Sequence, residues 1–340
     1  MESIGQSTGV LRQRIKQAAL LWAEGFREAC CLHRVVLYCF RSRQLMIRTG
    51  QCFLLNGFIF LGSIFILKSV IVPMLLWILP DQCPPISSQE PCSFGGILKF
   101  YSFLRLGLIQ LFYLLWFYPL YVFSFILSSI WYNDIAKYGF FSIGKYGQPA
   151  ISEPSRQKEL SSSQNTSNLD RPTDLGGVLI GISEQVYSVL LLSFFFLQVY
   201  VTGFIPYVGK ALNFLLLSWM YAYYCFEYKW NLSGLSLDKR LDLFECNWAF
   251  FAGFGNPCVL ATVFFSPLVS YGVMAILYPL FVLTATGSDA DNVIASPRSK
   301  WRGAGLGRLP LFFAANYLSM QVLSLIPMEP REKLQENKSL

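Results

Sequence analysis

Charged residues and histidine are scarce in this sequence. Only 14% of its 340 residues are charged, and His33 is the single histidine, whereas soluble domains contain about 25% charged residues. One histidine cannot supply the two or three imidazole ligands of a catalytic zinc site. The nine cysteines form no C-x-x-C pair, and neither G-x-x-x-x-G-K-[ST] nor G-x-G-x-x-G occurs. Zinc, dithiol-redox and nucleotide-binding chemistry therefore have no local motif to support them.

Apolar residues, in contrast, make up 54% of the chain and occur in long uncharged runs. Residues 246–288, for example, contain no charged side chain, whereas about 20 apolar residues suffice for one membrane-spanning helix. The sequence thus predicts an all-α, multi-pass helical membrane protein with about six membrane segments. Seven candidate stretches supply these segments, some of them as hemi-penetrating pairs: about 52–79, 106–132, 185–206, 211–226, 247–265, 268–286 and 309–327.

Two pairs of these segments have unusual connections. Residues 211–226 would form a helix of only about 24 Å, shorter than a hydrocarbon core of roughly 30 Å, and Pro206 lies in the link that precedes them. The pair 185–226 is therefore either two ordinary spans or a hemi-penetrating pair that dips into the membrane and returns. Ser266 and Pro267 predict the turn of a second pair, since proline breaks a helix and favours a turn.

Charge and composition divide the chain into three parts. Residues 1–50 form a basic, amphipathic N-terminal arm, residues 51–327 the helical membrane domain, and residues 328–340 a polar tail. Within the membrane domain, the serine-rich stretch 142–174 is predicted to be a disordered loop. The excess of lysine and arginine in the arm predicts a cytosolic N-terminus by the positive-inside rule.

This orientation has consequences for cysteines and for glycosylation. Segment 81–105 becomes luminal, where Cys83 and Cys92 either form a disulfide or remain free thiols. The N-x-[ST] sequons at Asn165 and Asn231 become cytosolic. They are therefore expected to stay unmodified.

The N-terminal arm has the pattern of an amphipathic helix. Apolar residues recur every three or four positions from Leu11 to Phe40, with basic residues on the other faces. Such a helix lies on the membrane lipids of an anionic leaflet, or it packs on the protein's own cytosolic face. Both contacts stay open. A nucleic-acid partner is not favoured, because no clustered basic stripe accompanies the pattern.

Ionisable side chains inside membrane segments are the usual candidates for transport or catalysis. Lys68 is the only charged residue within a long apolar run, and no acidic residue lies inside a predicted span. Lys68 either snorkels to an interface or attracts an anion in a pathway shared with Lys210. The sequence contains no pair of carboxylates and no Ser-His or Cys-His arrangement that would indicate hydrolysis. The chain is therefore expected to be non-enzymatic and to need no cofactor or metal.

The densest polar cluster lies between two membrane segments. It runs from Glu227 to Trp248, alternates acidic and basic residues, and contains aromatic residues typical of a membrane–water interface. It is either a salt-bridged helical cap or a surface that docks a protein partner. Its candidate residues are Tyr224, Glu227, Lys229, Trp230, Asn247 and Trp248.

Three stretches of the sequence resemble one known family. They are Ser129–Ala136, which contains Trp131 and Asp134; Tyr224–Trp230; and Asn247–Pro257, which contains Gly253 and Gly255. Their order and spacing across residues 50–327 resemble the etoposide-induced (p53-induced), autophagy-associated transmembrane proteins of the endoplasmic reticulum. These stretches are the candidate interaction or structural motif, and no catalytic residue comes with the resemblance.

The resemblance implies a multi-pass protein of the endoplasmic-reticulum membrane that is needed for the later steps of autophagy, with a link to growth control and cell death. The same family is similar in outline to CysZ-type sulfate permeases, which combine long spans with hemi-penetrating helix pairs. Fold similarity alone does not transfer an activity.

These observations give one leading hypothesis and two alternatives. The leading hypothesis is a non-enzymatic endoplasmic-reticulum protein that acts in autophagy through its cytosolic surfaces, with membrane lipids and cytosolic autophagy proteins as partners. The first alternative is an anion channel or permease for sulfate-like ions, with Lys68 and Lys210 on its pathway. The second is a lipid-handling protein of the scramblase type.

Overall fold

The structure, a computed structural model, describes residues 2–78, 95–147, 175–288 and 306–325. Every regular element in these ranges is helical, which confirms the predicted all-α fold. The helices are α1 (Glu2–Cys30), α2 (Leu32–Arg41), α3 (Arg43–Ile78), α4 (Gly95–Phe112, Tyr113–Phe117 and Tyr118–Gly147 in succession), α5 (Leu175–Thr202), α6 (Gly209–Leu232), α7 (Leu237–Cys246), α8 (Trp248–Val263), α9 (Pro267–Thr286) and α10 (Phe313–Ser324).

Three of the described helices are long and apolar enough to cross a membrane. They are Arg43–Ile78, Lys99–Gly144 and Pro267–Thr286, and Val186–Thr202 and Trp248–Val263 are shorter apolar helices. This set confirms the predicted multi-pass helical membrane protein.

The two longest helices, α3 and α4, contain π-helical turns in front of their prolines. A π-helical turn spans Leu67–Ile71 before Pro73, and another spans Tyr113–Phe117 before Pro119. A proline ring clashes with the carbonyl group four residues earlier. Widening the turn at that carbonyl relieves the clash, so both helices continue through their prolines.

A buried amide joins α3 to α4 in the interior. Asn56 is fully buried, and its Nδ2 atom donates hydrogen bonds to Ser128 Oγ (2.9 Å) and to Cys52 O (3.0 Å). The Ser124 hydroxyl donates to the Asn56 carbonyl oxygen. Because lipid offers no hydrogen bonds, a polar group in this position is held by partners within the protein.

The hairpin of α8 and α9 ends before the α3–α4 pair does. Leu268, at the start of α9, packs in one cluster with Leu67 of α3, so the turn 264–266 lies near the level of that residue. From Leu67, α3 continues to Ile78, about 16–17 Å farther at 1.5 Å per residue.

The hairpin of α5 and α6 lies beside that of α8 and α9. α6 runs antiparallel to α8, with Ser218 bonded to Asn256 and the ring of Phe226 against that of Phe250. Continuing this register places the turn 203–208 near the turn 264–266. Both hairpins therefore end well before the tip of α3–α4, and the choice between two spans and a hemi-penetrating pair for 185–226 stays a prediction.

The turns of both hairpins are apolar and exposed. Phe204 and Tyr207 in the first turn are 72% and 100% exposed, and Phe264 in the second is 78% exposed. Fully exposed aromatic side chains are costly in water but favourable in lipid. The tips of the short hairpins therefore suit a membrane interior better than an aqueous surface.

α1 packs on the protein's own helices, and its most extensive contacts are with α8. The contact is therefore intramolecular, but it is made with a predicted membrane segment and not with a cytosolic face of the protein. Residues 142–147 of the predicted loop belong to the end of α4. Several predictions lie outside the described residues. They concern the remainder of that loop, which contains Asn165, the cysteine pair Cys83 and Cys92, and the tail 328–340.

Candidate interaction surface

The polar cluster predicted at 227–248 folds as a cap over one end of the helix bundle. α7 lies across this end, and its apolar residues Leu237, Leu241 and Phe244 are buried at the spacing of a helix face. Asp238 and Lys239 are on the opposite, exposed face of α7. The end of the bundle that carries this cap is called the polar end below.

A pocket of about 720 Å³ lies at the polar end, between the last turn of α6, α7 and the first turn of α8. Its walls are apolar and its polar residues carry both signs of charge. The apolar residues are Phe226, Trp230, Leu235, Leu243 and Phe251, and the polar ones are Lys229, Ser233, Asp238, Lys239, Asp242, Cys246 and Asn247. An apolar floor with a polar margin is the usual form of a site that anchors a side chain of a partner protein.

An aromatic cluster, which contributes Phe226, Trp230 and Phe251 to the lining, packs beneath this pocket. The rings of Phe244 and Phe251 are stacked with their centroids 4.4 Å apart, and Trp230 meets Phe251 edge to face at 5.9 Å. Tyr223 and Phe312 extend the cluster beneath them. Such aromatic pairs contribute about 0.5–1.5 kcal/mol beyond the area that they bury.

Three of the six residues predicted for this cluster line the pocket: Lys229, Trp230 and Asn247. The Lys229 ammonium donates a hydrogen bond to the carbonyl oxygen of Ser288 (2.6 Å), which ties the end of α6 to the end of α9. The Asn247 amide is buried and donates to Leu243 O (2.7 Å). Both polar side chains therefore also hold the cap together.

The other three predicted residues lie outside the pocket lining. Trp248 accepts a hydrogen bond at its carbonyl oxygen from Trp219 Nε1 (2.8 Å). Tyr224 packs its ring against Tyr223. Burial raises the pKa of the Glu227 carboxyl group, and the nearby positive charge of Arg240 opposes that shift. These residues support α6 rather than face a ligand.

Glu245 and Arg308 form a joint that the sequence did not single out as a site. Glu245 is only 3% exposed, and it accepts hydrogen bonds from Arg308 Nε (2.7 Å) and from the Phe312 amide (3.0 Å). Arg308 also lies 3.2 Å from Asp242, which is exposed. This joint fixes the segment before α10 to the cap, and its only signal in the sequence was the charge of Glu245 within the cluster.

The Ser129–Ala136 stretch lies elsewhere at the polar end. Asp134 pairs with Arg48 of α3 at 3.3 Å, and Trp131 packs in a cluster with Val35, Leu45 and neighbouring residues. Neither Trp131 nor Asp134 lines the pocket. Trp131 and Asp134 therefore serve helix packing, and the first and second family motifs meet instead at Tyr278, against which the rings of Tyr132 and Tyr228 both pack.

The third stretch, Asn247–Pro257, forms most of α8, which lies between α1 and α6. A Cβ atom at Gly253 would lie closer than 3.0 Å to the carbonyl oxygen of Trp22, and one at Gly255 equally close to that of Ser218. Gly25 of α1 makes the reciprocal approach to Phe250 O. These glycines let three helix backbones approach more closely than any side chain would allow.

A buried amide completes the contact of α8 with both neighbours. Since the Ser218 hydroxyl donates to Phe214 O (2.9 Å), the Asn256 amide nitrogen faces Ser218 Oγ at 2.7 Å. The Asn256 oxygen then accepts from Trp22 Nε1 at 2.9 Å. Pro257 lies within the same helix.

Lys68 and Lys210, the predicted pathway residues, are both exposed on the outer surface of the bundle. Neither lines the pocket at the polar end, nor a second cavity of about 530 Å³ between α4, α6, α8 and α9. The structure does not bring them together in a shared cavity. In the described part of the chain, no group of three or more histidine, cysteine, aspartate or glutamate residues is placed to hold a metal ion.

Comparison with known proteins gives a consistent match. Residues 31–279 match the family model described as sulfate transporter CysZ/etoposide-induced protein 2.4. The chain is 65% identical over 319 residues to the Protein EI24 homolog of Arabidopsis thaliana, covering 94% of this chain and 98% of that protein. It is 27% identical over 307 residues to the Protein EI24 homolog of Dictyostelium discoideum, covering 90% and 84%.

A third relative matches over a shorter region. The Ectopic P granules protein 4 of Caenorhabditis elegans is 32% identical over 114 residues, which are 33% of this chain and 34% of that protein. No solved structure gives a significant match.

Proposed function

Because this chain belongs to the family of sulfate transporter CysZ and etoposide-induced protein 2.4, we propose that it is a non-enzymatic, multi-pass protein of the endoplasmic-reticulum membrane that acts in the later steps of autophagy. The family resemblance predicted from three sequence stretches is thereby confirmed. In this proposal the polar end faces the cytosol, and its pocket binds a cytosolic autophagy protein.

The pocket at the polar end is the observation that carries the docking role. Its volume of about 720 Å³ is in the range of binding sites for small groups. Its margin holds Lys239 beside Asp238 and Asp242, so it does not select a polyanion such as a nucleic acid or an anionic membrane. An apolar side chain of a protein segment, flanked by polar residues of both signs, fits this arrangement.

Complementation of cells that lack the endogenous protein tests this proposal. Ser233→Trp fills the mouth of the pocket and Lys239→Glu reverses a charge on its margin; both side chains are exposed, so the fold is expected to survive. Gln44→Trp and Arg43→Glu make the same changes at exposed positions outside the pocket. The readout is delivery of autophagic cargo to the lysosome or vacuole, normalised to the amount of each variant in the endoplasmic reticulum.

We expect the two pocket variants to reduce cargo delivery by at least half and the two controls to restore it fully. Full restoration by Ser233→Trp and Lys239→Glu would refute the docking role of the pocket. Absence of any autophagy defect in cells that lack the protein would refute the proposed function as a whole.

Anion transport is the alternative function, and it is supported by the sulfate transporter in the family's description. The exposed positions of Lys68 and Lys210, apart from both cavities, do not add to that support. Uptake of radioactive sulfate into liposomes that contain the purified protein distinguishes the two functions. Robust uptake that is abolished by Lys68→Ala or Lys210→Ala would replace the docking proposal by a permease.

A further inference from the structure

The second cavity, of about 530 Å³, lies among the apolar helices α4, α6, α8 and α9 and is not used by the proposed function. Its polar lining consists only of hydroxyl-bearing side chains, and no charged residue lines it. Ser128 and Tyr132 come from α4, Tyr221 from α6, Thr262 from α8 and Ser270 from α9. Helices far apart in the sequence thus place several hydroxyl groups around one space in an otherwise apolar region.

Three of these hydroxyl groups already use their protons. Tyr132 donates to Ala275 O (2.9 Å), Thr262 to Val259 O (2.9 Å) and Ser270 to Thr262 O (2.7 Å). Their oxygen atoms therefore keep lone pairs that can accept a hydrogen bond. A ligand that bonds to these three oxygen atoms brings a donor of its own, while the buried Tyr271 hydroxyl of the same lining can donate to it.

The absence of charge from the lining restricts the ligand further. A phosphate or ammonium group in this cavity would lose its hydration without gaining an ion pair, which is strongly unfavourable in an apolar region. A neutral hydroxyl group loses less and regains a hydrogen bond from the lining. The chemistry therefore selects an uncharged alcohol.

The mouth of the cavity indicates where the ligand comes from. Phe125 and Val263 line the cavity and are each 55% exposed. The neighbouring Phe123, Ile126 and Phe264 are apolar and exposed as well. A ligand therefore enters from the lipid-facing side of the bundle, beside the apolar tip of the α8–α9 hairpin.

We infer that this cavity binds a neutral membrane lipid with a free hydroxyl headgroup, a sterol or a diacylglycerol, with the hydroxyl donating to the oxygen atoms of the lining. The apolar body of the lipid lies along Phe125 and Val263 toward the bilayer. The volume of the cavity falls within the range of about 300–1,000 Å³ that is usual for small-molecule sites. This site is independent of the docking pocket at the polar end.

Photo-crosslinking to the purified full-length protein in phosphatidylcholine vesicles tests the site. Three probes with a photoactivatable group are compared: cholesterol, diacylglycerol and phosphatidic acid, the last carrying a charged headgroup. Labelled positions are mapped by mass spectrometry. Competition with unlabelled cholesterol or unlabelled dioleoylglycerol then identifies which of the two alcohols the site prefers.

We expect the cholesterol or diacylglycerol probe to label peptides that contain residues 125–132 and 259–278, and phosphatidic acid to label them at least tenfold less. The double variant Tyr132→Phe/Thr262→Val removes two acceptor oxygens and is expected to lower labelling roughly tenfold. Ser129→Ala is the matched control, because Ser129 is exposed on α4 and does not line the cavity.

Several outcomes would overturn the inference. Labelling confined to the exposed surface of α3 and α4, without competition by either alcohol, would show contact with bulk lipid only. Equal labelling of the cavity by phosphatidic acid would refute the selection for a neutral headgroup. If the double variant melts at the wild-type temperature and still labels fully, the hydroxyl lining does not bind the probe; if it melts much lower, the peptide map of the wild-type protein decides.

Discussion

The close approach of α8 to α1 leads to a prediction that isolates one packing feature. Gly253→Ala adds a single methyl group where it would lie closer than 3.0 Å to Trp22 O, and Gly25→Ala adds one equally close to Phe250 O. In both cases the obstacle is backbone, which cannot move aside by changing a rotamer. We therefore expect either change to push α1 away from α8.

The magnitude follows from two opposing effects. Overpacking costs about 1–3 kcal/mol, and a clash with backbone belongs at the upper end of that range. Replacing glycine by alanine within a helix returns about 1 kcal/mol. The net loss is about 2 kcal/mol, which corresponds to a fall in melting temperature of roughly 4–8 °C for a chain of 150–250 residues, and of slightly less for this longer chain.

Thermal unfolding in detergent and limited trypsin digestion measure this effect. Gly107→Ala is the matched control, because a Cβ atom at that helical position meets nothing within 4 Å, and its melting temperature should stay constant or rise. In Gly253→Ala, trypsin should cut faster after Arg12 and Arg14 of the released α1. The double variant Gly25→Ala/Gly253→Ala should cost less than the sum of both changes, since the contact is lost only once.

The contrary result is that Gly253→Ala has the same melting temperature as Gly107→Ala and that α1 remains as resistant to trypsin as in the wild type. That result would mean that the two helix backbones do not approach as closely as the structure shows. A lower melting temperature with unchanged digestion of α1 would place the damage elsewhere in α8.

Three further predictions concern the polar end. Glu245→Ala leaves the Phe312 amide and Arg308 without their carboxylate and should lower stability by about 1–3 kcal/mol in thermal unfolding, whereas Asp242→Ala, which removes an exposed ion pair, should cost less than about 1 kcal/mol. Burial raises the folded-state pKa of Glu227 above its unfolded value. The folded protein therefore holds this proton more tightly, and its stability falls as pH rises from the unfolded pKa of about 4 through the raised folded pKa. Glu227→Gln should flatten that slope in melting curves, and an unchanged slope would contradict the raised pKa. Asn231 should remain unglycosylated in cells, as seen by an unchanged gel mobility after endoglycosidase treatment, and a glycan there would contradict a cytosolic polar end.

The sequence was sufficient to predict the class of fold, because a membrane-spanning helix requires a run of about 20 uncharged residues and such runs can be counted directly. Uncharged runs such as 246–288 had to be membrane segments, and Ser266 and Pro267 marked a turn between α8 and α9 that the structure shows. The lengths of α3 and α4 were harder to predict. Their prolines, which normally end helices, are accommodated by π-helical turns that leave no separate signal in the sequence.

The site was predicted only in part, because its residues act across large separations in sequence. Lys229, Trp230 and Asn247 belong to one polar cluster, and they do line one pocket. Glu245 and Arg308 are in contact although 62 residues separate them in the chain. No local pattern reports such a pair, and the same holds for the glycines that set the spacing of α1, α8 and α6.

The hydroxyl-lined cavity could not be predicted from the sequence for the same reason, since its residues are distant in the chain. Serine, threonine and tyrosine are common in membrane helices, so none of them is conspicuous in the sequence. Only the packing of four helices shows that Ser128, Thr262 and Ser270 surround one space.

The pairing of α1 with α8 also imposes an order on the synthesis of the protein. Gly25 leaves the ribosome about 225 residues before Phe250, the residue that it will contact. At roughly 5–20 residues per second, this delay lasts roughly 10–45 s. During that time the apolar face of α1, with Leu21 and Trp22, has no partner, while the intervening helices enter the membrane one after another. α1 is thus made well before the helix that receives it, and its docking waits until α8 has left the ribosome.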